Sequence, residues 1–534
     1  ICVHPEIVKL LKPHQIEGIK FMYDNTYGSV DALPKHSGSG CILAHCMGLG
    51  KTLQMISLLH TVMRYPQLMT NRVLVICPKS TVMNWKEEIA RWQGTIRTGY
   101  QMKVYCFPDV CTQNDKIGVL KRWYYCKSPN CGVMLIGYEA AKLGLIKEYL
   151  LNPGADLVIC DEGHQIKNKR SAISEAVSKI KTRRRIMLTG TPIQNNLKEY
   201  YCMVNFIKPS FLGSDKEFSN LYANPIKNGQ CKDSDHQSIK IMKQRSYVLH
   251  NKLSKFVQRK EAAVLKEFLP EKFEYVLFVP LTPVQEKMYE VFLQMNDYTN
   301  NDVTGEPGRT KKFKLIADYT SLRKVIGTRL SVFGVLVGAR SRSYPIPIPC
   351  SESIPEPSIS MPEPIPELIL EPIPELILKP IPERRTRSCR TRTRTARSRD
   401  RGNRARYYRL DGKTQKSIRH QMITSFNDPQ NKRTKCFLIS AKAGGQGINL
   451  TGANRVIILD TSWNPSNDQQ NIFRIFRLGQ KRKCYVYRLI AAGTMEEKVY
   501  SRSVTKQALS FRVVDEQQID RHYSYGELAE LYTL

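Results

Sequence analysis

A glycine-rich stretch near the start of the chain has the composition of a phosphate-binding loop. It reads Gly48-Leu-Gly-Lys-Thr52, follows a short apolar run and precedes a helical pattern. The two glycines let the backbone point its N–H groups at an anion, at the positive end of the helix. Lys51 would neutralise the outer phosphates of a nucleotide, and Thr52 would hold Mg²⁺. His45 replaces the first glycine of the usual pattern, so a tight turn without a ligand is the alternative.

Two adjacent carboxylates end the apolar run Asp156-Leu-Val-Ile-Cys-Asp-Glu-Gly-His164. A buried strand that ends in two acids is costly unless a cation lies beside them. We expect Asp161 to reach the Mg²⁺ shell, and Glu162 to orient and deprotonate an attacking water. His164 would link this pair to the next motif by a hydrogen bond. A helix-capping acidic pair is the alternative interpretation.

The third motif, Met187-Leu-Thr-Gly-Thr-Pro-Ile-Gln-Asn-Asn196, is a strand followed by a small polar loop. Thr189, Thr191 and Gln194 carry short hydrogen-bonding side chains, which suit a group that senses a nucleotide and relays its state. Taken alone, a simple turn is the alternative interpretation of this motif.

A fourth cluster, late in the chain, combines Gln470, Arg474 and Arg477 at positions i, i+4 and i+7. This spacing predicts that the three side chains share one face of a helix. Two arginines aimed across a cleft would stabilise charge on a transferring γ-phosphoryl group, an effect worth about 10³–10⁵ in rate. Without the other motifs, a solvated basic helix face is the simpler interpretation.

These motifs need a scaffold that brings strand ends together, and short apolar runs supply it. Such runs, each followed by a loop and a helical pattern, predict parallel strands of a doubly wound sheet. In the first part of the chain they are Cys41–Ala44, Val73–Cys77, Val133–Gly137, Leu157–Cys160 and Ile186–Leu188. The segment 407–492 shows the same alternation of short apolar runs and helical patterns, with strands predicted near Cys436–Ser440, Val456–Asp460 and Tyr485–Ile490. The sequence therefore predicts two α/β lobes.

The composition changes abruptly between these lobes. Residues 345–382 contain 12 of the 29 prolines, and the tract 384–406 contains 11 arginines against one aspartate. Proline this frequent removes backbone donors and blocks both helix and central strand, which predicts a disordered or polyproline-like linker. We favour a solvated spacer, or translated repetitive DNA from a faulty gene model, over a tail that docks a partner or binds phosphates.

Charge and composition narrow the function classes. The 534 residues carry 82 Lys and Arg against 48 Asp and Glu, a net charge of +34, which favours polyanions and nucleic acid first. No apolar run approaches the roughly 18 residues of a membrane span, which excludes an integral membrane protein. The 15 cysteines, an odd number, indicate reduced intracellular thiols, and no structural metal is expected because the C-x4-C pairs lack matching partners. The chain begins at Ile1, so we expect a fragment.

The order of the motifs resembles helicase superfamily two, and more narrowly the SWI/SNF-type DNA translocases that remodel chromatin. Leu11-Lys-Pro-His-Gln-Ile-Glu-Gly18 resembles that family's adenine-recognition motif, with Gln15 as the base reader. His45-Cys46 in place of an acidic pair, Gly163 in place of alanine and the run 504–515 resemble the ATRX-like branch. The resemblance implies arginine fingers at Arg474 and Arg477, and a nucleotide site formed by Gln15, Gly48, Leu49, Gly50, Lys51, Thr52 and Gln470.

The resemblance also implies a DNA track on both lobes. In the first lobe, Val75-Ile-Cys-Pro-Lys-Ser-Thr-Val-Met-Asn-Trp85 resembles a loop that contacts the DNA backbone. In the second lobe, Ile439–Leu450 resembles a motif that couples hydrolysis to DNA grip, and Trp463–Gln480 resembles the arginine-finger motif. The implied DNA-binding residues are Lys79, Ser80, Trp85, Ser440, Lys442, Gly444 and Trp463. Coupling between nucleotide and DNA is assigned to His164, Thr189 and Gln194.

We predict two RecA-like doubly wound parallel-sheet lobes with a cleft between them. The first, ATP-binding lobe spans 1–210, and a helical linker or protrusion spans 211–326. The low-complexity insert spans 327–406, and the second lobe with a C-terminal brace spans 407–534. The insert does not match the family's opening strand of the second lobe, although Val332–Val337 could supply a strand.

The family implies ATP and Mg²⁺ as cofactors, and double-stranded DNA and nucleosomes as partners. It also implies histone chaperones or heterochromatin proteins as further partners, a nuclear location and no contact with membranes. Because the insert leaves the second lobe incomplete, a DNA- or chromatin-binding protein without ATP turnover is the alternative. A strand-separating helicase, with the same ATPase motifs, is a third hypothesis.

Overall fold

The structure is a computed structural model that describes residues 1–33, 38–96, 99–107, 113–126, 131–140, 149, 154–166, 171–190, 197–229, 234–295, 322, 335–338, 406–412, 414–431, 433–440, 448–459, 465–501 and 504. Most of the predicted insert at 327–406 lies outside these residues, as do Gln194, Lys442, Gly444 and Trp463. Residues Ile1–Arg340 and Arg406–Leu534 belong to one compact unit. Within the described ranges, no helix is both long and apolar enough to cross a membrane.

The first lobe is built on a parallel sheet. Its described strands are β1 (Gly40–Leu43), β2 (Arg72–Cys77), β3 (Val104–Cys106), β4 (Gly132–Gly137), β5 (Leu157–Asp161), β6 (Arg185–Leu188) and β7 (Val257–Gln258). They lie in the order β3-β4-β2-β5-β6-β1-β7, and every pairing is parallel. The five predicted apolar runs coincide with the five inner strands, so the doubly wound prediction is confirmed for this lobe.

Both faces of this sheet are buried, which is why its strands read as continuous apolar runs. Successive side chains of a strand point to opposite faces. In β1, Ile42 accordingly packs into one core cluster, while Cys41 and Leu43 pack into the other.

Helices cover the two faces. Up to residue 295 the described helices are α1 (Pro5–Val8), α2 (Pro13–Thr26), α3 (Lys51–Arg64), α4 (Val82–Gln93), α5 (Gln113–Tyr124), α6 (Ala172–Ser178), α7 (Leu197–Ile207), α8 (Asp215–Phe218), α9 (Asn224–Asn228), α10 (His236–Leu253) and α11 (Pro283–Met295). Of these, α11 contacts the second lobe, where its Tyr289 hydroxyl accepts from the Met495 N–H at 2.9 Å. Helix α3 is buried along almost its whole length, from Leu53 to Met63. This burial fixes the loop that precedes α3 at the carboxyl end of β1.

The second lobe is built on a mixed sheet. Its described strands are β8 (Lys272–Val279), β9 (Val335–Gly338), β10 (Arg406–Leu410), β11 (Thr434–Ile439), β12 (Arg455–Ile458) and β13 (Cys484–Ala491), and its described helices are α12 (Lys416–Asn427) and α13 (Pro465–Ile472). The strand order is β10-β11-β9-β12-β13-β8. All pairings are parallel except those of β9, which runs antiparallel to β11 and to β12.

Two strands of this sheet come from segments predicted to be linker and insert. Strand β8 lies within the predicted linker, yet it pairs with β13 along its whole length. Stacking of Phe273 on Tyr485 and of Tyr275 on Tyr487, with ring centroids 5.4 Å apart in both pairs, reinforces the pairing. Strand β9 overlaps the run Val332–Val337 and fills the position between β11 and β12. The sheet is therefore continuous from β10 to β8 within the described residues.

Candidate functional site

A cleft of about 560 Å³ opens where the inner strands of the first lobe end, and residues of the second lobe close its other side. In open α/β sheets this edge is the usual place for a ligand. The cleft gathers residues predicted from four separate motifs: Gln15, Gly48, Gly50, Lys51, Thr52, Asp161, Glu162, Gln470, Arg474 and Arg477. Both lobes thus contribute polar side chains to one cavity.

The glycine-rich loop has the backbone geometry of an anion-binding turn. Gly48 and Gly50 have φ values of 86° and 76°, a left-handed region that favours glycine, and Gly50 caps the start of α3 at Lys51. The Lys51 ammonium donates to the carbonyl oxygens of His45 at 2.7 Å and Cys46 at 3.3 Å. Burial in the cleft lowers the pKa of Lys51. The loop therefore holds a cation at the N-terminus of a helix, where an anion is stabilised.

The carbonyl group of Leu49 is the point at which neighbouring side chains hold this loop. Gln15 Nε2 donates to Leu49 O at 3.2 Å, Gln54 Nε2 donates at 3.3 Å, and His14 Nε2 lies 3.1 Å away. The other end of the Gln15 amide accepts from the Lys12 N–H at 2.9 Å. The Leu49 side chain itself is fully buried in the core of the second lobe. Leu49 therefore contributes backbone rather than side chain to the predicted nucleotide site.

Asp161 ends strand β5 and is held by two donors. The Trp85 indole N–H donates to Asp161 Oδ2 at 2.8 Å, and the Glu162 N–H donates to Oδ1 at 2.9 Å. Burial, together with the charge of Glu162, raises the pKa of Asp161 to about 6. A carboxylate with this environment is stabilised by a nearby cation, and Lys51 already contributes one positive charge.

Glu162 follows in a strained backbone conformation, with φ at 51°, outside the region that non-glycine residues usually occupy. Its Oε2 atom lies 3.3 Å from His164 Nδ1. Burial acts to raise the pKa of Glu162, but the contact with His164 and the charge of Lys51 outweigh it and hold the pKa below its ordinary value. The side chain is thus kept as a carboxylate, the form that accepts a proton.

One predicted DNA contact is wrong. The Trp85 side chain is 1% exposed and donates to Asp161, so it supports the carboxylate from the core instead of facing a ligand outside. Trp85 lies in the first turn of α4, within the segment that resembles the family's DNA-contacting motif. Its side chain nevertheless packs in the core of the first lobe. Lys79 and Ser80 in that loop are exposed, and Ser440 at the end of β11 is partly exposed.

The two arginines of the second lobe reach the cleft in different electrostatic environments. Arg474 is 4% exposed, and neither of its terminal nitrogens has a hydrogen-bond partner within the described residues. Burial lowers the pKa of Arg474 to about 9. Burial also lowers the pKa of Arg477, which lies near the charges of Glu88 and Arg91. A buried guanidinium without an acceptor is expensive, and an anion in the cleft would satisfy it.

The prediction that Gln470, Arg474 and Arg477 share a helix face is wrong in its geometry. Helix α13 ends at Ile472, and both arginines follow it in tight turns, such as the one closed by the Ile475 N–H on the Ile472 carbonyl at 3.1 Å. These turns let Ile472 and Ile475 both reach the core of the second lobe. The three predicted side chains nevertheless line the same cleft.

The donor set beside the loop suits Mg²⁺. Thr52 and Asp161 both line the cleft and offer oxygen ligands, which Mg²⁺ prefers, usually with only one or two carboxylates and with phosphate oxygens completing the shell. No cluster of three or more His, Cys, Asp or Glu residues with metal-binding geometry occurs in the described part of the chain.

Thr189, predicted to couple nucleotide and DNA, is fully buried at the end of β6, where its N–H donates to the Leu43 carbonyl at 3.2 Å.

Phe268 and Lys12 were missed in the sequence. Both line the cleft near Gln15, with the Lys12 ammonium 4.4 Å from the centre of the Phe268 ring, which is 36% exposed. Lys12 lies three residues before Gln15, within the segment that resembles the adenine-recognition motif, and this proximity could have identified it as a cleft residue. Phe268 follows a short turn in the predicted linker, and no local pattern marks it as a binding residue.

Comparisons with known proteins agree with this arrangement. The family model for the SNF2-related domain matches residues 14–328, and that for the helicase conserved C-terminal domain matches 383–479. The chain is 37% identical over 666 residues to transcriptional regulator ATRX of Mus musculus, covering 99% of this chain and 26% of the relative. It is 35% identical over 652 residues to the ATRX homolog of Drosophila melanogaster, covering 99% of the chain and 49% of the relative.

A plant relative is similar to the same extent. Protein CHROMATIN REMODELING 20 of Arabidopsis thaliana is 35% identical over 588 residues, covering 98% of the chain and 39% of the relative. The chain thus spans about a quarter to a half of the length of these relatives. Among solved structures, the Sulfolobus solfataricus SWI2/SNF2 ATPase core in complex with dsDNA is 22% identical, covers 95% of this chain and 97% of its own, and gives a TM-score of 0.38.

Proposed function

The chain belongs to the SNF2-related family of DNA-dependent ATPases, and from that premise we propose that it moves along double-stranded DNA by hydrolysing ATP and acts in chromatin remodelling. Arg474 is the observation that carries this proposal. Its buried guanidinium has no acceptor among the described residues, yet it lines the same cleft as Lys51. A cation from each lobe therefore faces one cavity, and a polyphosphate would satisfy both charges.

Each side chain of the cleft has a definable task in this proposal. Lys51 binds the outer phosphates of ATP, while Arg474 and Arg477 approach them from the second lobe and stabilise charge as the γ-phosphoryl group is transferred. Glu162, held as a carboxylate by His164 and Lys51, orients the attacking water and accepts its proton. Thr52 and Asp161 would hold Mg²⁺, which neutralises phosphate charge when bound.

The opposite end of the cleft suits the base. Phe268 presents a partly exposed ring there, with Gln15 and Lys12 beside it. A purine would stack on this ring, because base–aromatic stacking contributes about 1–3 kcal/mol. Gln15 is bound to the Leu49 carbonyl in this structure, so reading the base requires that its amide exchange this partner. We assign Phe268 to the base platform.

The cleft also connects the lobes mechanically. A Cβ atom at Gly48 would lie 3.6 Å from the Phe473 ring, so the phosphate loop packs directly on the second lobe. His420 Nδ1 on α12 lies 3.5 Å from a carboxylate oxygen of Glu87 on α4, which adds a second contact between the lobes. Nucleotide bound between Lys51 and Arg474 would hold the lobes together, and hydrolysis would weaken that connection. Repeated closing and opening would then shift the lobes along DNA.

The DNA track is proposed from the family resemblance. Lys79 and Ser80 in the first lobe and Ser440 in the second are accessible to a phosphate backbone, whereas Lys442, Gly444 and Trp463 belong to it by sequence only. Contacts of this kind give little sequence specificity and a strong dependence on salt. The relatives include a transcriptional regulator and a protein named for chromatin remodelling, which supports a role on chromatin in the nucleus. Nucleosomes are the partners we propose, and histone chaperones or heterochromatin proteins are proposed from the family resemblance alone.

ATP hydrolysis by the full chain, with and without double-stranded DNA, tests the proposal. We expect DNA to raise the rate, and Glu162→Gln to abolish it because the amide cannot accept a proton. Glu175→Gln, which changes an exposed carboxylate on α6, is the matched control and should keep the parental rate. Binding of DNA with no hydrolysis above that of Glu162→Gln would contradict the proposal and favour a DNA-binding protein without turnover.

A further inference from the structure

Helix α10 carries an unusual concentration of positive charge, away from the cleft. No acidic residue occurs from position 236 to position 260, a stretch that includes all of α10. Within the helix the cations are Lys240, Lys243, Arg245 and Lys252. No residue of α10 lines the nucleotide cleft. The positive charge of α10 therefore has no part in nucleotide binding or hydrolysis as proposed for the cleft.

The charges lie on the solvent side of the helix. Met242, Leu249 and Leu253, at i, i+7 and i+11, are buried and form the core-facing stripe. Lys240, Lys243, Arg245 and Lys252 are all exposed. Tyr247, also exposed at 62%, lies one turn beyond Lys243 on the same side of the helix. At about 100° per residue, Lys240, Lys243 and Tyr247 lie on one flank of this exposed surface and Arg245 and Lys252 on the other, so cations border the outer surface of α10 on both sides.

Among the described residues, these cations have no acidic partner. None of the four forms an ion pair with a carboxylate anywhere in the described ranges. Lys252 only approaches the Tyr222 ring, 6.0 Å from its centre. Like charges one turn apart, as at Lys240 and Lys243, destabilise a helix, and α10 contains no acidic residue that would offset them. An external polyanion would remove this repulsion.

We propose that the outer surface of α10, formed by Lys240, Lys243, Arg245, Tyr247 and Lys252, binds the phosphate backbone of double-stranded DNA. Over a rise of about 1.5 Å per residue, the cations span roughly 18 Å, a length over which duplex DNA presents one charge per about 1.7 Å. Tyrosine hydroxyls and lysines are typical phosphate-contacting groups. This proposal rests on the proposed function only for the identity of the ligand, double-stranded DNA. The surface itself takes no part in ATP hydrolysis.

The position of α10 explains why such a contact would be useful. The chain leaves α10 and runs beside the phosphate-loop strand, where the Ala44 N–H donates to the Gln258 carbonyl at 2.8 Å and the Cys46 N–H donates to the Lys260 carbonyl at 3.0 Å. DNA held on α10 is therefore fixed relative to the nucleotide loop of the first lobe. This contact anchors that lobe on DNA while the second lobe changes its grip.

The salt dependence of DNA binding tests the surface. The dissociation constant of the full chain for a blunt duplex is measured without nucleotide at several salt concentrations, for the parent and for Lys240→Gln/Lys243→Gln/Arg245→Gln. Each lost phosphate contact lowers the slope of log K against log salt by about 0.9, so we expect a decrease of about 2.7. The control Lys20→Gln/Lys121→Gln/Arg122→Gln removes three exposed cations of α2 and α5 and should lower the slope by less than 1.

Other outcomes overturn the proposal in distinguishable ways. An unchanged slope in the α10 variant, or an equal decrease in the control, would refute a specific role for α10. An unchanged slope combined with weaker binding to polyglutamate would assign the surface to an acidic protein partner instead. ATP hydrolysis without DNA should be the same in all three proteins, and this readout verifies that the variant is folded. Because binding is measured without nucleotide, failure of the ATPase proposal would leave this result unaffected.

Discussion

Replacing Arg474 with methionine removes the buried guanidinium from the cleft and leaves an unbranched, uncharged side chain. Burial lowers the pKa of Arg474 from its ordinary value to about 9. At about 1.4 kcal/mol per pKa unit, this lowering corresponds to roughly 5 kcal/mol of unfavourable burial at neutral pH. Exchange of a buried charge for an apolar side chain commonly stabilises a protein by about 1–4 kcal/mol. We therefore expect the nucleotide-free variant to be more stable than the parent.

Activity should change in the opposite direction. Loss of an arginine finger lowers hydrolysis by about 10³–10⁵, so DNA-stimulated turnover of Arg474→Met should fall at least about 10³-fold. Thermal unfolding of the nucleotide-free chain and steady-state hydrolysis measure the two effects in the same preparations. Arg433→Met, which alters an exposed arginine of the second lobe, should change neither.

The stability gain also has a defined dependence on pH. At pH 7 the arginine is charged in the folded and the unfolded chain, so the burial cost is fully present. Above about pH 9 the folded-state guanidinium loses its proton while the unfolded chain keeps its own, so the cost declines steadily with rising pH. The difference in stability between variant and parent should narrow over this range. A variant that is less stable than the parent and hydrolyses ATP at the parental rate would refute the reasoning.

Two further substitutions test individual contacts of the cleft. Phe268→Ala should raise KM for ATP about tenfold with little change in kcat, because it removes the stacking surface for the base, and Phe211→Ala, at a similarly exposed ring outside the cleft, should leave KM unchanged. Trp85→Phe removes the indole donor to Asp161 and should weaken activation by Mg²⁺ about 10–100-fold in a titration of hydrolysis against Mg²⁺. Trp123→Phe, a buried indole that donates to the Gly132 carbonyl, is its control, and equal Mg²⁺ dependence in both variants would contradict the role of Trp85.

The inner strands of the first lobe were predictable because a strand buried on two faces must be apolar throughout. Strands β2, β4 and β5 show this pattern, apart from Arg72 at the start of β2 and Asp161 at the end of β5. The edge strand β8 escaped prediction because most of its side chains are exposed and its pairing with β13 depends on residues more than 200 positions away. Its direction of pairing, like the antiparallel orientation of β9, is a tertiary property that local composition does not encode.

Residues of the site were predictable where their chemistry is tied to a loop or strand end. Lys51 follows the glycine-rich loop after β1, and Asp161 is the last residue of β5, so both positions could be inferred from buried strands. Trp85 was predicted wrongly because tryptophan occurs both in protein cores and on ligand-binding surfaces. Only the structure shows that its indole N–H donates to Asp161. Phe268 was missed because its role depends on the packing of the linker against the first lobe.

Displacement of a third strand from a short triplex within duplex DNA tests directly whether ATP hydrolysis in the cleft moves the chain along DNA. We predict that the parent chain releases the third strand only with ATP, that Glu162→Gln releases none, and that the duplex strands stay paired. Separation of the duplex strands would assign the chain to the strand-separating helicases. DNA-stimulated hydrolysis without release of the third strand would contradict translocation itself.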